Sequence, residues 1–379
     1  MLKMKDMTWD YSDPATGYSL PAPFFYDQQV FDEEKRLIFF RCWHLVGHVN
    51  EFREAGSFIS QDIFEQSVIV VADHGGKIRA FHNACQHRGN RLITERRGKI
   101  PAVLRCGYHS WCYGLDGGLR SAPRGEFLKD FDKALFGLKP VRLEIYAGFV
   151  YVTLNSDAKP VAEMASGAEV EMRKFLPDLD NLNLVEEVDV VVPANWKVIQ
   201  ENAIEGYHFD LSGPVHKHLA SLIDFASYRL TPHGEWWTYM APPNPDAKDA
   251  YGLPINGATY QTDWFFNIGL WPNTSFYCFP FTDMVGTFVM IPAGPEKSVL
   301  RFGYYAPENR LTPELTKSAI AWMNKELGPE DISLNVSNQK GLHSIGFHQG
   351  RYMIDPEHAN QSEHLVHHFH KLCYQAIRE

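Results

Sequence analysis

The chain has 379 residues, 45% of them hydrophobic and 22% charged, enough to bury two cores of ordinary domain size. Its formal net charge of -10 argues against a phosphate-binding surface, because nucleic-acid readers concentrate positive charge. No apolar run approaches the roughly 20 residues of a membrane span, and Met1-Leu2-Lys3-Met4-Lys5-Asp6 has no apolar segment behind its lysines to make a secretory signal. These features predict a cytoplasmic protein with neither nucleic acid nor membrane as partner. The cysteines agree, since Cys42, Cys112, Cys278 and Cys373 form no paired framework of the secreted kind.

Residues 1–40 form an N-terminal segment with Pro14, Pro21 and Pro23, expected to pack on the second domain, and Phe31 to Phe40 reads as a helix. From 41 to 156, short β-branched and aromatic runs alternate with turn signals. Ser67-Val68-Ile69-Val70-Val71-Ala72 precedes Asp73-His74-Gly75-Gly76, Leu115-Asp116-Gly117-Gly118-Leu119 reads as a hairpin turn, and Gly148 to Leu154 as a closing strand. This predicts a small all-β domain. Residues 157–379 form a second domain. It holds a helix to Leu176 stopped at Pro177, a β run from Val185 to Val192, a functional helix over about 196–211, an aromatic-rich strand region from Trp236 to Tyr305, and helices at about 312–327 and 361–377. The fold class is α+β. The sequence carries no internal repeat and no Gly-rich nucleotide fingerprint, so reducing equivalents from NAD(P)H are expected through a separate protein.

Within the all-β domain, Cys85-Gln86-His87 is followed after eighteen residues by Cys106-Gly107-Tyr108-His109. Two thiolates and two imidazoles in Gly-rich turns make a metal centre. Structural zinc uses the same donors, but C-x-H with C-x-x-H is the spacing of a Rieske [2Fe-2S] cluster, in which His replaces Cys on one iron. The gap between the halves is expected to lengthen a hairpin at Arg96-Arg97-Gly98-Lys99.

The second informative run is Asn195-Trp196-Lys197, then Glu201-Asn202, then Glu205-Gly206-Tyr207-His208. On a helix Glu205 and His208 share a face, with Glu201 and Asn202 one to two turns earlier. A polar surface helix is the plain alternative, and the cluster upstream weighs against it. Together with His87-Arg88-Gly89 and Tyr108-His109-Ser110-Trp111-Cys112-Tyr113-Gly114, this run resembles the alpha subunits of Rieske non-haem iron oxygenases, the ring-hydroxylating oxygenases, over nearly the whole chain.

The resemblance implies that Cys85 and Cys106 bind the buried iron of the cluster and His87 and His109 the outer one. It also implies a helix-grip-like catalytic domain, with a central antiparallel sheet covered by helices, and a mononuclear Fe(II) held by two histidines and one carboxylate. His208 carries over as the first ligand. The family's second His follows about five residues later, where this chain has Gly213, leaving His216 and His218 as candidates. A straight helix would part His208 and His216 by ~12 Å along its axis, so Ser212-Gly213-Pro214 is expected to break it. His216 is preferred, with His218 on the opposite face of a helix starting at Pro214. Asp331, eight residues ahead of Gln339 in Gln339-Lys340-Gly341-Leu342, matches the family's third ligand, and Glu330 is the local alternative. The run Glu363-His364-Leu365-Val366-His367-His368-Phe369-His370 is read as an amphipathic helix with His on its polar side rather than as another metal site.

By the same resemblance the protein is the terminal oxygenase of a multicomponent system. It takes O2, and electrons passed from NAD(P)H by a separate reductase or ferredoxin, to hydroxylate or oxidatively demethylate a small substrate, a betaine-like amine or an aromatic acid. Glu205 and Asn202 are the implied catalytic pair. Glu205 links His208 to His109 of the next subunit in a homotrimer, and Asn202 supports it. The alternatives are a cis-dihydroxylating dioxygenase and a Rieske electron carrier, the latter disfavoured by the length of the second domain. Of the aromatic residues from Trp236 to Phe288, Tyr260 among them, most are expected in the core. The remainder would clamp an aromatic ring or cage a quaternary ammonium group.

Overall fold

The computed structural model describes residues 8–255, 263–308 and 314–378. Tyr260 and the start of the helix expected at 312 lie outside the described residues. Contacts divide the chain into two compact units, one of Phe39–Val161 and one of Met1–Ile38 with Ala162–Glu379.

The first unit is built from strands. Gln66–Ala72 pairs on one side with Ile78–His82 and on the other with Ser57–Ile63. Its side chains alternate between two cores: Ile69 and Val71 join Phe58, Phe81, Cys85, Cys106 and Tyr113, while Val68 and Val70 join Val46, Ile59, Val150 and Val152. Burial on both faces is why this strand reads as one unbroken apolar run. Phe149–Thr153 lies between His44–His48 and Arg142–Tyr146. The predicted hairpin at Arg96 to Lys99 is instead a strand, Arg97–Lys99, laid antiparallel on Ser57–Ile63. Gly98 allows this because a Cβ there would stand 2.8 Å from the Phe58 ring. The extra length carries the chain across to a second small sheet, in which Cys112–Gly114 lies between Val103–Arg105 and Leu119–Ser121.

The second unit has a seven-stranded antiparallel sheet in the order Leu182–Val192, Lys297–Pro307, Val285–Gly294, Thr274–Cys278, Phe265–Leu270, Trp236–Ala241 and Arg229–Pro232. The helix Trp196–Ala203 packs on Val285–Gly294 and on the helix Gly328–Gly341. Asn195 caps it by accepting from Lys197 N–H at 2.9 Å, a bond of about 1 kcal/mol. The cap is itself pinned, since Asn195 N–H donates to the Gln339 side chain at 2.8 Å and Gln339 donates to the Phe25 carbonyl at 3.2 Å. The Gln of the Gln-x-Gly-Leu motif thus joins three separate parts of the unit.

Four helices differ from expectation. The functional helix ends at Ala203 rather than near 211, where the chain turns sharply and a Cβ on Gly206 would collide with the Asn360 carbonyl and the Tyr228 ring. The N-terminal helix covers Gln28–Glu34, started by Asp27, and passes into a π-helical turn at Lys35–Phe39. Glu314–Trp322 runs on through a wide turn into Gly328–Gly341 instead of stopping near 327. The helix expected up to Leu176 is two short pieces, Val161–Met164 and Ala168–Phe175, with a left-handed Gly167 between them.

The N-terminal segment is held to this unit by a fully buried ion pair. Lys197 Nζ lies 2.6 Å from one Glu34 oxygen, and Trp196 Nε1–H donates to the other at 2.9 Å. Removing one partner strands a charge away from water, so Glu34→Ala is expected to cost about 3–5 kcal/mol in denaturant unfolding, while joint replacement of Glu34 and Lys197 by apolar residues should recover most of it.

Candidate functional site

At one end of the first unit two loops of the same shape face each other. In each, the residue four after the cysteine takes a left-handed backbone, Gly89 at φ 73° and Ser110 at φ 60°, and donates its N–H to the cysteine carbonyl, at 2.8 and 3.0 Å. Each cysteine N–H is in turn taken by the carbonyl of the fifth residue, Asn90 or Trp111. Cys85 and Cys106 are buried and His87 and His109 exposed. The two imidazoles stand 4.7 Å apart, with Trp111 stacked on His87 and Tyr108 on His109.

The buried Tyr113 hydroxyl lies 3.1 Å from Cys85 Sγ, and Asn90 Nδ2 donates toward Cys106 Sγ at 3.6 Å. Burial pushes the Cys85 thiol up. Burial works the same way on Cys106, but backbone N–H groups of Tyr108 and His109, together with Cys85 and Asn90, hold it below the usual thiol range. Two buried sulfurs with polar neighbours and two solvent-facing imidazoles make a donor set that fits a cluster with unlike irons.

In the second unit His208 lies in the turn after Ala203, so the shared face of Glu205 and His208 is made by a turn and not by a helix. The Glu205 carboxylate organises that turn, accepting from Tyr207 and His208 N–H and from His208 Nδ1–H. Ser212-Gly213-Pro214 breaks the chain as expected, and Pro214–Leu222 starts a new helix with the buried His216 in its first turn. His218 points elsewhere, edge-on to Trp322.

Asp331 comes from the first turn of Gly328–Gly341, and one donor atom each from His208, His216 and Asp331 lies within 4.8 Å of the others. Among the described residues this is the one such group of three or more. Asp331 Oδ1 is 3.0 Å from His216 Nε2 and 3.8 Å from His208 Nε2. Both imidazoles give their Nδ1 proton to a carboxylate, His208 to Glu205 and His216 to Glu330 at 2.5 Å. A neutral imidazole so engaged leaves Nε2 as a lone pair. Burial works against a charge on His216, but the Asp331 and Glu330 carboxylates on its two nitrogens hold its pKa above the usual imidazole range. With both imidazoles neutral, three acceptors converge on one point, and His208 Nε2 is buried with no hydrogen-bond partner among the described residues. Such a donor set fits a divalent cation. Glu330, the alternative ligand, is committed to the far side of His216.

The group opens on a cavity of about 90 Å³ lined by Phe209, Tyr239, Phe265, Tyr277, Phe279, Phe288 and Phe302, with Asn202, Asn267 and Asn335. Its described lining includes no Lys or Arg.

On the other side of Asn202 and His208 lies a polar concavity with Glu201, Glu205, Glu363 and Asn338. The C-terminal histidines differ from the reading of a polar helix face, because His364, His367 and His370 are buried. His370 bridges Glu201 and the Tyr352 hydroxyl, and His364 Nε2 meets the Leu230 carbonyl at 2.8 Å. Sequence reasoning missed this network and the Glu34–Lys197 pair. Lys197 in Asn-Trp-Lys was the available signal, as a cation beside a Trp at the head of a functional helix.

A family model described as Ring hydroxylating alpha subunit (catalytic domain) matches residues 179–379, and one described as Rieske [2Fe-2S] domain matches 42–132. The carnitine monooxygenase oxygenase subunit of Escherichia coli (strain K12) is 32% identical over 369 residues, covering 97% of this chain and 96% of that one. A glycine betaine monooxygenase oxygenase subunit from Chromohalobacter salexigens is 37% identical over 222 residues, 58% of this chain and 48% of that protein. Among solved structures, the quaternary ammonium Rieske monooxygenase CntA in complex with L-carnitine superposes with a TM-score of 0.84 at 28% identity, covering 97% of both chains.

Burial, with the nearby Glu205 and Glu201 carboxylates, pushes Glu363 up to about 7 despite the Met353 N–H bonded to it. Unfolded, this carboxyl titrates near 4.5. Between these values the unfolded chain gives up a proton that the folded chain keeps, so stability falls as pH rises through the window. Glu363→Gln should therefore be more stable than the parent at about pH 8, and the difference should vanish near pH 4, in denaturant titrations at the two pH values.

Proposed function

The chain belongs to the Rieske non-haem iron oxygenase alpha-subunit family, and on that footing we propose that it hydroxylates or oxidatively demethylates a small betaine-like quaternary amine. As a family member it is an oxidoreductase that incorporates O2, a terminal oxygenase with a [2Fe-2S] cluster and a mononuclear iron that receives its electrons through a separate reductase. The observation that carries the substrate reading is the aromatic cavity beside His208, His216 and Asp331. Its ring faces attract a cation, and no described cationic side chain opposes one. The carnitine and glycine betaine relatives lend further support.

In this reading Cys85, Cys106, His87 and His109 hold the cluster, and His208, His216 and Asp331 hold the mononuclear iron. When bound, that iron offers O2 an open coordination position and completes a two-electron supply with the cluster. The balance is one substrate C–H, one O2, two electrons and two protons in, and one hydroxylated carbon and one water out. The protein's own share is positional. The aromatic wall holds the ammonium group so that one of its carbons faces the three ligands, while Leu300, Met323 and Leu327 add an apolar lining that excludes water. Glu205 and Glu330 keep each histidine's Nε2 lone pair inward.

We assign Glu205 the further role of bridging to His109 of a neighbouring subunit, with Asn202 beside it, in a homotrimer. Its place in an acidic concavity, and the exposure of His109, Tyr108 and Arg88 at the cluster end of the other unit, support this. The compartment is the reducing cytoplasm, where Cys42, Cys112, Cys278 and Cys373 stay as thiols.

Metal analysis of the purified protein should give about three irons per chain, and His208→Ala about two with the cluster spectrum intact; two irons in the parent would point to the electron carrier instead. With a surrogate reductase, trimethylammonium compounds should yield product coupled to O2 and NADH consumption, and aromatic acids only uncoupled peroxide. The reverse pattern would remove the amine reading. Glu205→Gln should leave cluster reduction unchanged and lower product formation by at least about tenfold.

A further inference from the structure

The helix Pro214–Leu222 has no cap of its own, because Gly213 at its N-cap carries no side chain. Its free N–H groups are met from another helix. Glu330 Oε1 accepts from His216 N–H at 3.0 Å and Oε2 from Val215 N–H at 3.3 Å, and the same Oε1 takes the His216 Nδ1 proton at 2.5 Å. The next residue, Asp331, meets the opposite edge of the ring at Nε2. The His216 imidazole is thus bracketed by two consecutive carboxylates, one on each nitrogen.

Gly213 is part of the arrangement. A Cβ built there would fall on the Glu330 carboxylate, colliding with all three of its terminal atoms. The backbone at Gly213, φ -75° and ψ 177°, is one that alanine adopts without strain. The glycine is therefore required by the space Glu330 occupies and not by its own conformation.

We propose that Glu330 is the positioning residue of the mononuclear iron site. Reaching in over Gly213, it fixes the tautomer and ring orientation of His216 and thereby sets how tightly the site holds its metal. This rests on His216 being a ligand. His208 takes its orienting carboxylate from three residues away, whereas His216, displaced onto a new helix by the longer stretch after His208, takes its own from the helix that also carries Asp331. One turn of one helix then supplies both a ligand and the support of another ligand, so a shift of that turn moves both together.

The experiment uses the full-length protein with its cluster loaded and reads the third iron by competition against a graded series of Fe(II) chelators, with the EPR spectrum of its nitric oxide adduct at saturating iron. Glu330→Gln, which keeps shape and loses charge, should raise the dissociation constant of the third iron about 10–100-fold and change the adduct's EPR line shape. Gly213→Ala, which leaves every ligand and Glu330 in the sequence, should do the same by displacing the carboxylate. The proposal is overturned if both variants hold the third iron as tightly as the parent while His216→Ala loses it. Retention of the third iron by His216→Ala would instead overturn the ligand reading, and this inference with it.

Discussion

Two imidazoles and a carboxylate are aimed at one point, and much of the larger unit serves to keep them there. Asp331 is presented to the two Nε2 atoms from the first turn of the helix Gly328–Gly341. The imidazoles are fixed in orientation, because each Nδ1 is engaged by a glutamate. The glutamates are fixed in turn by backbone N–H groups, from Tyr207 and His208 on one side and Val215 and His216 on the other. Each layer is satisfied only by the next. The outermost layer is the helix–helix contact that Asn195 and Gln339 hold in register.

Much of this was written locally in the chain and could be read there. The two Cys/His loops were legible because each is complete within six residues and needs no distant partner. Position 216 was legible once Gly213-Pro214 was taken as a break, since sterics at proline act over one turn. The roles of Glu330 and Glu201 were not legible. Both depend on partners more than a hundred residues away, His216 and His370, and a carboxylate in a polar helix looks the same whether it faces solvent or an imidazole. The boundary at Ala203 was missed for the same reason. Local spacing allowed the helix to continue, and the Asn360 carbonyl and the Tyr228 ring, which leave no room for a Cβ at Gly206 in the turn that follows, are brought in only by the fold.

The burial contrast within the smaller unit also follows from packing. Its cysteines sit in the same core as Ile69 and Val71, so their sulfurs are held in a rigid, dry place. The histidines are exposed, His87 stacked on Trp111 and His109 on Tyr108. One half of the donor set therefore belongs to the interior and the other to a surface open to other molecules.

The Glu34–Lys197 pair bears on the order of events at the ribosome. Chains emerge N-terminus first and compact units fold as they are completed. The strand-rich unit is whole once residue 161 has emerged, and its two cores are drawn entirely from residues already made. Glu34 must meanwhile wait for a lysine synthesised more than 160 residues later, and the histidines wait in turn for Asp331, which is made later than that lysine. The cluster's pocket therefore exists well before the iron's, and a chain interrupted midway would already hold its electron store with no oxygen site to discharge it.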